Sequence, residues 1–385
     1  MSNHSRITDS SLESKPMVQY VTFDSIREGV GASQVLAYLK KIATNRSITL
    51  INFEKDVGDK ENLDFLNWSH LSFGKPGPFA GIIRILRIAR VLKRKTVVHA
   101  RGDFACLASL MRGCKNVIWD CRALTADQRY EISRESKQSV GYCLLRLCEY
   151  ICANFSTHII VITNKAKLEI VHRYDVDPNK ISVISTCVDL DTFTLKDSLP
   201  PSKEIKILLS GTIGPQYDLE LLKKLIEEMK QFCSIKVGLI ASKGLFKQRY
   251  PFEIHEFLEV KHSEVPNIIG TYHVGFSVWN SDLGISLKSV AATKNAEFLA
   301  CGRPIIVNLN QGDIGEAVME NQIGISTTSK DSVMITRYAQ HLIKLLEDPE
   351  LSTRCRNYAM KHYSLKTAVQ DISLIYDKIA STHAK

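Results

Sequence analysis

Across 385 residues the chain has no apolar run approaching the roughly 18 residues of a membrane-spanning helix, which excludes an integral helical membrane protein. The polar start, MSNHSRITDSSLESK, has no hydrophobic signal core, so we read no secretion signal there and expect a cytoplasmic protein. No Cys-x-x-Cys pair occurs, and none of the 11 histidines falls at H-x-x-x-H spacing, which argues against a structural zinc site. The ten cysteines are dispersed, many in apolar segments (Cys106, Cys143, Cys148, Cys301), and read as free thiols of a reducing compartment. Low-complexity tracts and short internal repeats are also missing. What remains is the mixture of a folded soluble protein, 44% hydrophobic and 24% charged, long enough for two domains of about 100–200 residues each.

The net charge of +9 is unevenly placed. Residues 1–190 hold 27 basic and 19 acidic residues, net +8, against 23 and 22, net +1, in 191–385. The first half should therefore meet an anionic partner. One source is Gly81–Lys95, GIIRILRIARVLKRK, where Arg84, Arg87, Arg90 and Lys93–Lys95 recur at helical spacing with no acid between them. Such a helix either packs one face on a sheet or lies in the interface of an anionic membrane, on its inner face. Nucleic acid is not expected, because the stretch lacks interleaved aromatics and no recognised module is present.

Short apolar runs alternate with amphipathic helical patterns: strands at Val18–Phe23, Ser47–Phe53, Thr96–Ala100, Val117–Asp120 and His158–Thr163, each followed by helical periodicity. This is the signature of a parallel sheet covered on both faces. A Pro-Pro pair in SLPPSKEIK interrupts the rhythm, which restarts at Ile205–Ser210 and continues through Ile235–Ile240, Val274–Val278 and Pro304–Asn308. The expected architecture is α/β, two Rossmann-like doubly wound domains facing each other across a cleft. The expected division is a loose tail at 1–16, a first domain at 17–190, a second at 191–365, and a terminal helix at 366–385 that can pack back on the first domain. Ligands of such domains bind at the carboxyl ends of the strands, near the glycine turns after Phe23 and Ser210.

In TKNAEFLACGRPIIVN (Thr293–Asn308), Lys294 and Glu297 share one helix face, before Gly302 and Pro304 end the helix and open a strand. They are either an ion pair on a solvated helix or a donor set for a ribose diol (Glu297) and a phosphate (Lys294). The turn at Gly211, Thr212 and Gly214 can offer backbone amides and a helix N-terminus to a diphosphate, or merely close a strand. Gly29 and Gly31 can play the parallel part in the first domain, admitting an acceptor or phosphate close to the backbone. His99, Arg101, Asp120 and Arg122 all fall at or just past strand ends. His99 can equally be a core residue, and Asp120 with Arg122 a structural ion pair. Asp175-Val176-Asp177 and Asp189-Leu190-Asp191 are D-x-D triplets, but neither follows a long apolar strand, and we expect no metal site at either.

Lys294–Pro304 resembles the "K-x-x-E-(Y/F)-L-A-x-G-x-P" stretch of the nucleotide-sugar glycosyltransferases of family 4, which have the GT-B fold. It matches at Lys294, Glu297, Phe298, Leu299, Ala300, Gly302 and Pro304. KISVISTCVDLDTF (Lys180–Phe193) is similar to that family's interdomain signature, and FDSIREGVGASQVLAYL to its first glycine-rich loop and helix. VVHARG and IWDCRALTADQ resemble a bacterial subgroup of surface-polysaccharide pathways. The resemblance implies sugar transfer from a nucleotide-diphosphate donor to a glycan acceptor, here a lipid-linked oligosaccharide, with retention and without metal or other cofactor. It places Glu297 on the ribose and Arg101 at the reacting centre, with Asp120 and Arg122 beside it. Three features depart from the pattern. Ser289 stands where the family has a first Glu, which moves donor-sugar contacts to backbone amides around Gly284–Leu287. GTIGPQYD lacks the usual basic pair, which leaves Lys243, Lys288 and Lys294 to hold the diphosphate. Thr186-Cys187 replaces an Asn-Gly turn. A nucleotide-sugar 2-epimerase of the same fold, or a catalytically silent nucleotide-binding protein, are the alternatives.

Overall fold

Runs of Val, Ile and Leu buried on both faces become the inner strands of two parallel sheets. The structure, a computed structural model, describes residues 16–26, 31–54, 63–74, 77, 79–197, 199, 203–242, 244, 249–328 and 330–382. In the first sheet, strands β1 (Val18–Thr22), β2 (Ile48–Glu54), β3 (Asn67–Ser72), β4 (Val97–Arg101), β5 (Asn116–Cys121), β6 (His158–Val161) and β7 (Ile181–Val183) lie in the order β3-β2-β1-β4-β5-β6-β7. The helices between them are α1 (Ala37–Ile42), α2 (Ala80–Val91), α3 (Asp103–Met111), α4 (Thr125–Ser133), α5 (Val140–Phe155) and α6 (Asn164–Tyr174).

The second sheet holds β8 (Glu204–Ser210), β9 (Ser234–Ile240), β10 (Glu256–Leu258), β11 (Val274–Phe276), β12 (Ile305–Asn308) and β13 (Gly324–Thr327), in the order β10-β9-β8-β11-β12-β13. Around it run α7 (Leu219–Met229), α8 (Val265–Gly270), α9 (Thr293–Ala300), α10 (Ile314–Glu320), α11 (Ser332–Leu346) and α12 (Leu351–His362). The last helix, α13 (Leu365–Thr382), returns to the first domain. Both orders reverse direction beside the first strand of their domain, the switch point where doubly wound sheets bind ligands. The two Rossmann-like domains predicted from the strand rhythm are present.

One face of the first sheet is packed by Ile88 of α2, Cys106 of α3, Cys152 of α5 and Ile170 of α6 against Val21, Val98, Trp119 and Val161. The other face is covered by Leu39 of α1 and by Val369, Ile372 and Tyr376 of α13 against Tyr20, Leu50 and Ile118. In the second domain, α7 buries Leu221, Leu222, Leu225, Ile226 and Met229 on one stripe, with Asp218 accepting from the Leu221 N–H as its cap. The strand rhythm missed all four edge strands: β3, β7, β10 and β13. Two of them, β3 and β10, show the reason most clearly. Their sequences, NWSHLS and EFL, are half-buried, so neither carries the continuous apolar run of an inner strand.

Candidate functional site

A cleft of about 920 Å³ opens between the carboxyl ends of the two sheets. Its first-domain wall includes Asp24 after β1, Arg101 at the end of β4, Asp103 at the start of α3 and Arg122 after β5. Its second-domain wall includes Gly211 and Thr212 after β8, His262 after β10, and Ala291, Ala292, Thr293, Lys294 and Glu297 at the start of α9.

On the first wall Arg101, Arg122, Asp24, Asp120 and His99 satisfy one another. Arg101 Nε donates to Asp24 Oδ2 at 3.0 Å, and its Nη1 lies 3.7 Å from Asp120 Oδ2. Arg122 Nη1 reaches Asp120 Oδ1 at 3.4 Å. Asp120 is buried behind the two guanidinium groups, 3.2 Å from His99 Nε2. Burial alone would raise its pKa. Arg122, the His99 hydrogen bond and Arg101 outweigh that and hold the carboxyl well below the usual range. His99 is itself buried, stacked on Tyr20 with ring centroids 4.6 Å apart, and its Nδ1 meets the Tyr376 hydroxyl of α13 at 2.8 Å. Tyr376 in turn pairs with the Tyr38 hydroxyl at 3.0 Å. His99 is thus a link from the terminal helix to Asp120, and Asp120 is the group that orients both arginines.

Asp103 went unnoticed in the sequence, although it stands two residues beyond Arg101. It is buried, accepts a hydrogen bond from Trp119 Nε1 at 3.0 Å, and is pushed up to about 7 by burial and by the Glu149 carboxylate nearby. Its other oxygen, Oδ2, is buried without a hydrogen-bond partner among the described residues.

The second wall is different. Lys294 is buried, and among the described residues its Nζ has no hydrogen-bond partner. It lies 4.5 Å from the centroid of the Tyr217 ring and faces the Gly211 turn. Gly211 has φ +84°, which favours glycine, and a Cβ there would sit 3.9 Å from the ammonium. The N-terminus of α9 opens into the same space with no side-chain cap on its first turn. One turn on, Glu297 is buried and accepts from His262 Nε2 at 3.0 Å, which raises the pKa of that histidine.

Several expectations are corrected. Lys288 does not line the cleft, because its Nζ is paired with Glu169 Oε2 of α6 at 2.6 Å. The Ile285 and Ser286 amides, expected to meet a donor sugar, donate instead to Glu131 of α4 at 3.1 and 2.9 Å. Ser289 Oγ accepts from the Leu124 N–H at 3.1 Å, so the residue that departs from the family pattern ties the two domains together. Asp313 does the same, accepting from the Asn164 N–H at 2.7 Å at the start of α6. A Cβ on Gly31 would collide with the Ser25 carbonyl, so this glycine serves close backbone packing. The helix after the Gly211 turn, α7, starts only at Leu219 and is capped by Asp218, so the helix end facing the cleft is that of α9. Gly214 lies outside the cleft lining, its carbonyl accepting from the Tyr217 N–H. Gly29 and Lys243 fall outside the described residues. The aspartates of the two D-x-D triplets do not line the cleft, and Asp189 and Asp191 pair with Lys41.

Fold and cleft define a class, and comparison with known proteins agrees with it. A sucrose-phosphate synthase from Thermosynechococcus elongatus superposes with a TM-score of 0.73 over 96% of this chain and 100% of its own, at 12% identity. The Anabaena protein HepE, solved with UDP and glucose, gives 0.65 over 93% and 98%, also at 12% identity. These likenesses show the fold, two Rossmann-like domains in the GT-B arrangement. In the first domain, residues 59–192 match the model of Glycosyltransferase Family 4. A curated relative, the chitobiosyldiphosphodolichol beta-mannosyltransferase of Candida glabrata, is 21% identical over 269 residues, 59% of this chain and 58% of its own length. The chain spans about three fifths of the length of the curated relatives it matches.

Proposed function

We propose that the chain transfers a sugar from a nucleoside-diphosphate donor to a glycan acceptor, with retention and without a bound metal. The observation that carries this reading is Lys294, a buried ammonium without a hydrogen-bond partner among the described residues, beside the Gly211 turn and the uncapped start of α9. An unpaired buried charge is costly, and a diphosphate would relieve that cost while accepting from the α9 amides. The Gly211 N–H already donates to the Ile240 carbonyl, so any amide that the turn offers comes from Thr212 onward. Glu297, one turn from Lys294, would hold the ribose hydroxyls through the oxygen that His262 leaves open.

The chemistry then runs on charge placement. As the bond from the anomeric carbon to the diphosphate oxygen lengthens, negative charge grows on the leaving group. Lys294 and the α9 amides stabilise it in a water-poor cleft. Arg101 and Arg122, fixed by Asp120, face the same space from the other wall and would bind the acceptor or the transferring sugar. We favour a lipid-linked oligosaccharide as acceptor; support comes from the dolichol-linked substrate in the name of the Candida glabrata relative. Neither the epimerase nor the silent reading has an observation in its favour.

The test is a transfer assay with labelled UDP- and GDP-sugars, in chelator, with and without lipid-linked oligosaccharide, and NMR of the product's anomeric proton. Acceptor-dependent transfer with the donor's anomeric configuration supports the proposal. Turnover of the donor without any acceptor, inversion, or a strict need for a divalent metal overturns it.

A further inference from the structure

The segment that leads into α9 is held largely by the other domain. Just before the cleft residues Ala291–Lys294 the chain makes a tight 3₁₀ turn, Ser286–Ser289, with no side-chain cap of its own. Like the first turn of any helix, it opens with amides that have no partner within it. Glu131 of α4 supplies that partner from across the domain boundary, accepting from the Ile285 and Ser286 N–H groups. Its carboxylate is buried, and Lys137 Nζ fixes it at 2.6 Å.

The rest of the segment is gripped in the same way. Thr163 Oγ1, at the start of α6, donates to the Lys288 carbonyl at 2.5 Å, and Glu169 of that helix takes the Lys288 ammonium. Thr186, in the chain that leaves β7, donates through Oγ1 to the Ala291 carbonyl at 2.6 Å. Ile132, next to Glu131, packs on the small apolar cluster of Leu283, Leu287 and Val290. From its own domain the turn receives the Gly312 N–H, at the Leu287 carbonyl. Helix α9 starts two residues after Ala291 and carries Lys294 in its first turn, so the groups read as diphosphate donors move with this segment.

We infer that Glu131 and Glu169 are positioning residues for the donor site. They belong to the first domain and do not line the cleft, yet they set the place of the first turn of α9 on the second. The inference rests on the reading of Lys294 and α9 as the site of the donor diphosphate. It adds that this site is complete only while the first domain is docked, so donor capture and docking strengthen one another. Helix α4 makes the link short: Thr125 and Gln128 line the cleft, and Glu131, one turn beyond Gln128, holds the turn. Lys165 of α6 offers a contrast. It also bridges the domains, but its partners, Asp313 and Glu316, lie beyond the turn.

The test is calorimetric titration of UDP and GDP, in chelator, into the full chain and its variants, with a melting temperature for each. Glu131→Ala should weaken nucleotide binding by about tenfold, inside the range usual for coupled sites, and Glu169→Ala by a similar factor. Glu131→Gln keeps a carbonyl oxygen for the amides and should restore most of the affinity, although the charge facing Lys137 is gone. Lys165→Met should bind as the wild type does. Wild-type affinity in Glu131→Ala would overturn the inference. So would equal losses in Glu131→Ala and Lys165→Met, since any loosening of the interface would then suffice. Glu169→Ala leaves the Glu131 tie intact and carries the test if Glu131→Ala does not fold; wild-type affinity there overturns it too. A wild type that binds neither nucleotide sinks the donor reading itself, and this inference with it.

Discussion

The two walls of the cleft treat charge in opposite ways. On the first-domain wall Arg101, Arg122, Asp24, Asp120 and His99 form a closed set in which each charged group has a partner, down to the Tyr376 hydroxyl of the last helix. On the second-domain wall Lys294 is buried without a hydrogen-bond partner among the described residues, and Glu297 is held by a single half-exposed histidine. The first arrangement fixes geometry before any ligand arrives. The second leaves an energetic debt that an anionic ligand settles. A preorganised wall and a waiting wall suit the proposed transfer, one to aim and one to capture.

The contrast can be broken most severely at its anchor. Asp120→Asn takes their shared carboxylate from the buried Arg101 and the partly exposed Arg122, so it should lower stability by about 3–5 kcal/mol, read by denaturant unfolding. A change below about 1 kcal/mol would mean that Asp120 is peripheral to the wall. Next in size, Lys294→Met replaces a buried ammonium by an apolar chain of similar length. The ligand-free protein should gain about 1–3 kcal/mol, net of the lost contact with the Tyr217 ring. A drop in melting temperature would show that Lys294 already has a strong partner.

Tyr376→Phe removes one hydroxyl from the chain that ends at Asp120, with a cost of about 1 kcal/mol. Because Tyr376 acts through His99, kcat should fall while nucleotide affinity stays unchanged. Equal loss in both would point to general loosening of the fold.

The smallest effect is in pH. The folded pKa of His262 is raised by Glu297, so the pair's contribution to stability is complete below about 6.5, the unfolded value, and is lost as pH rises through the folded value. The ring is half exposed, so the slope is shallow. His262→Gln should remove it, and a melting-temperature profile between pH 5.5 and 8.5 that is identical in both proteins would contradict the pairing.

The fold was legible at the inner strands, where Val, Ile and Leu run together, and illegible at the edge strands: β3 and β10 are only half-buried, and β7 (ISV) and β13 (GIST) are too short and mixed to stand out. Within the site, Lys294 and Glu297 could be read because helical spacing puts them on one face, ahead of a glycine and a proline. Lys288 has the same charge six residues earlier but sits in a tight turn, and spacing does not tell that its chain reaches Glu169. His262 and Asp24 come from loops far away in sequence, and nothing local announces that folding brings them to the cleft. The interdomain ties of Ser289, Glu131 and Asp313 are of the same kind. Each looks like an ordinary polar residue until the other domain arrives.

The most direct measurement is calorimetric titration of UDP and GDP, in chelator, into the wild type and Lys294→Met. If Lys294 and the start of α9 hold the donor diphosphate, at least one nucleotide binds the wild type without metal, and the substitution weakens that binding by about a hundredfold or more. Metal-independent binding that survives the substitution, or no binding of either nucleotide to the wild type, would contradict the donor site placed on the second wall.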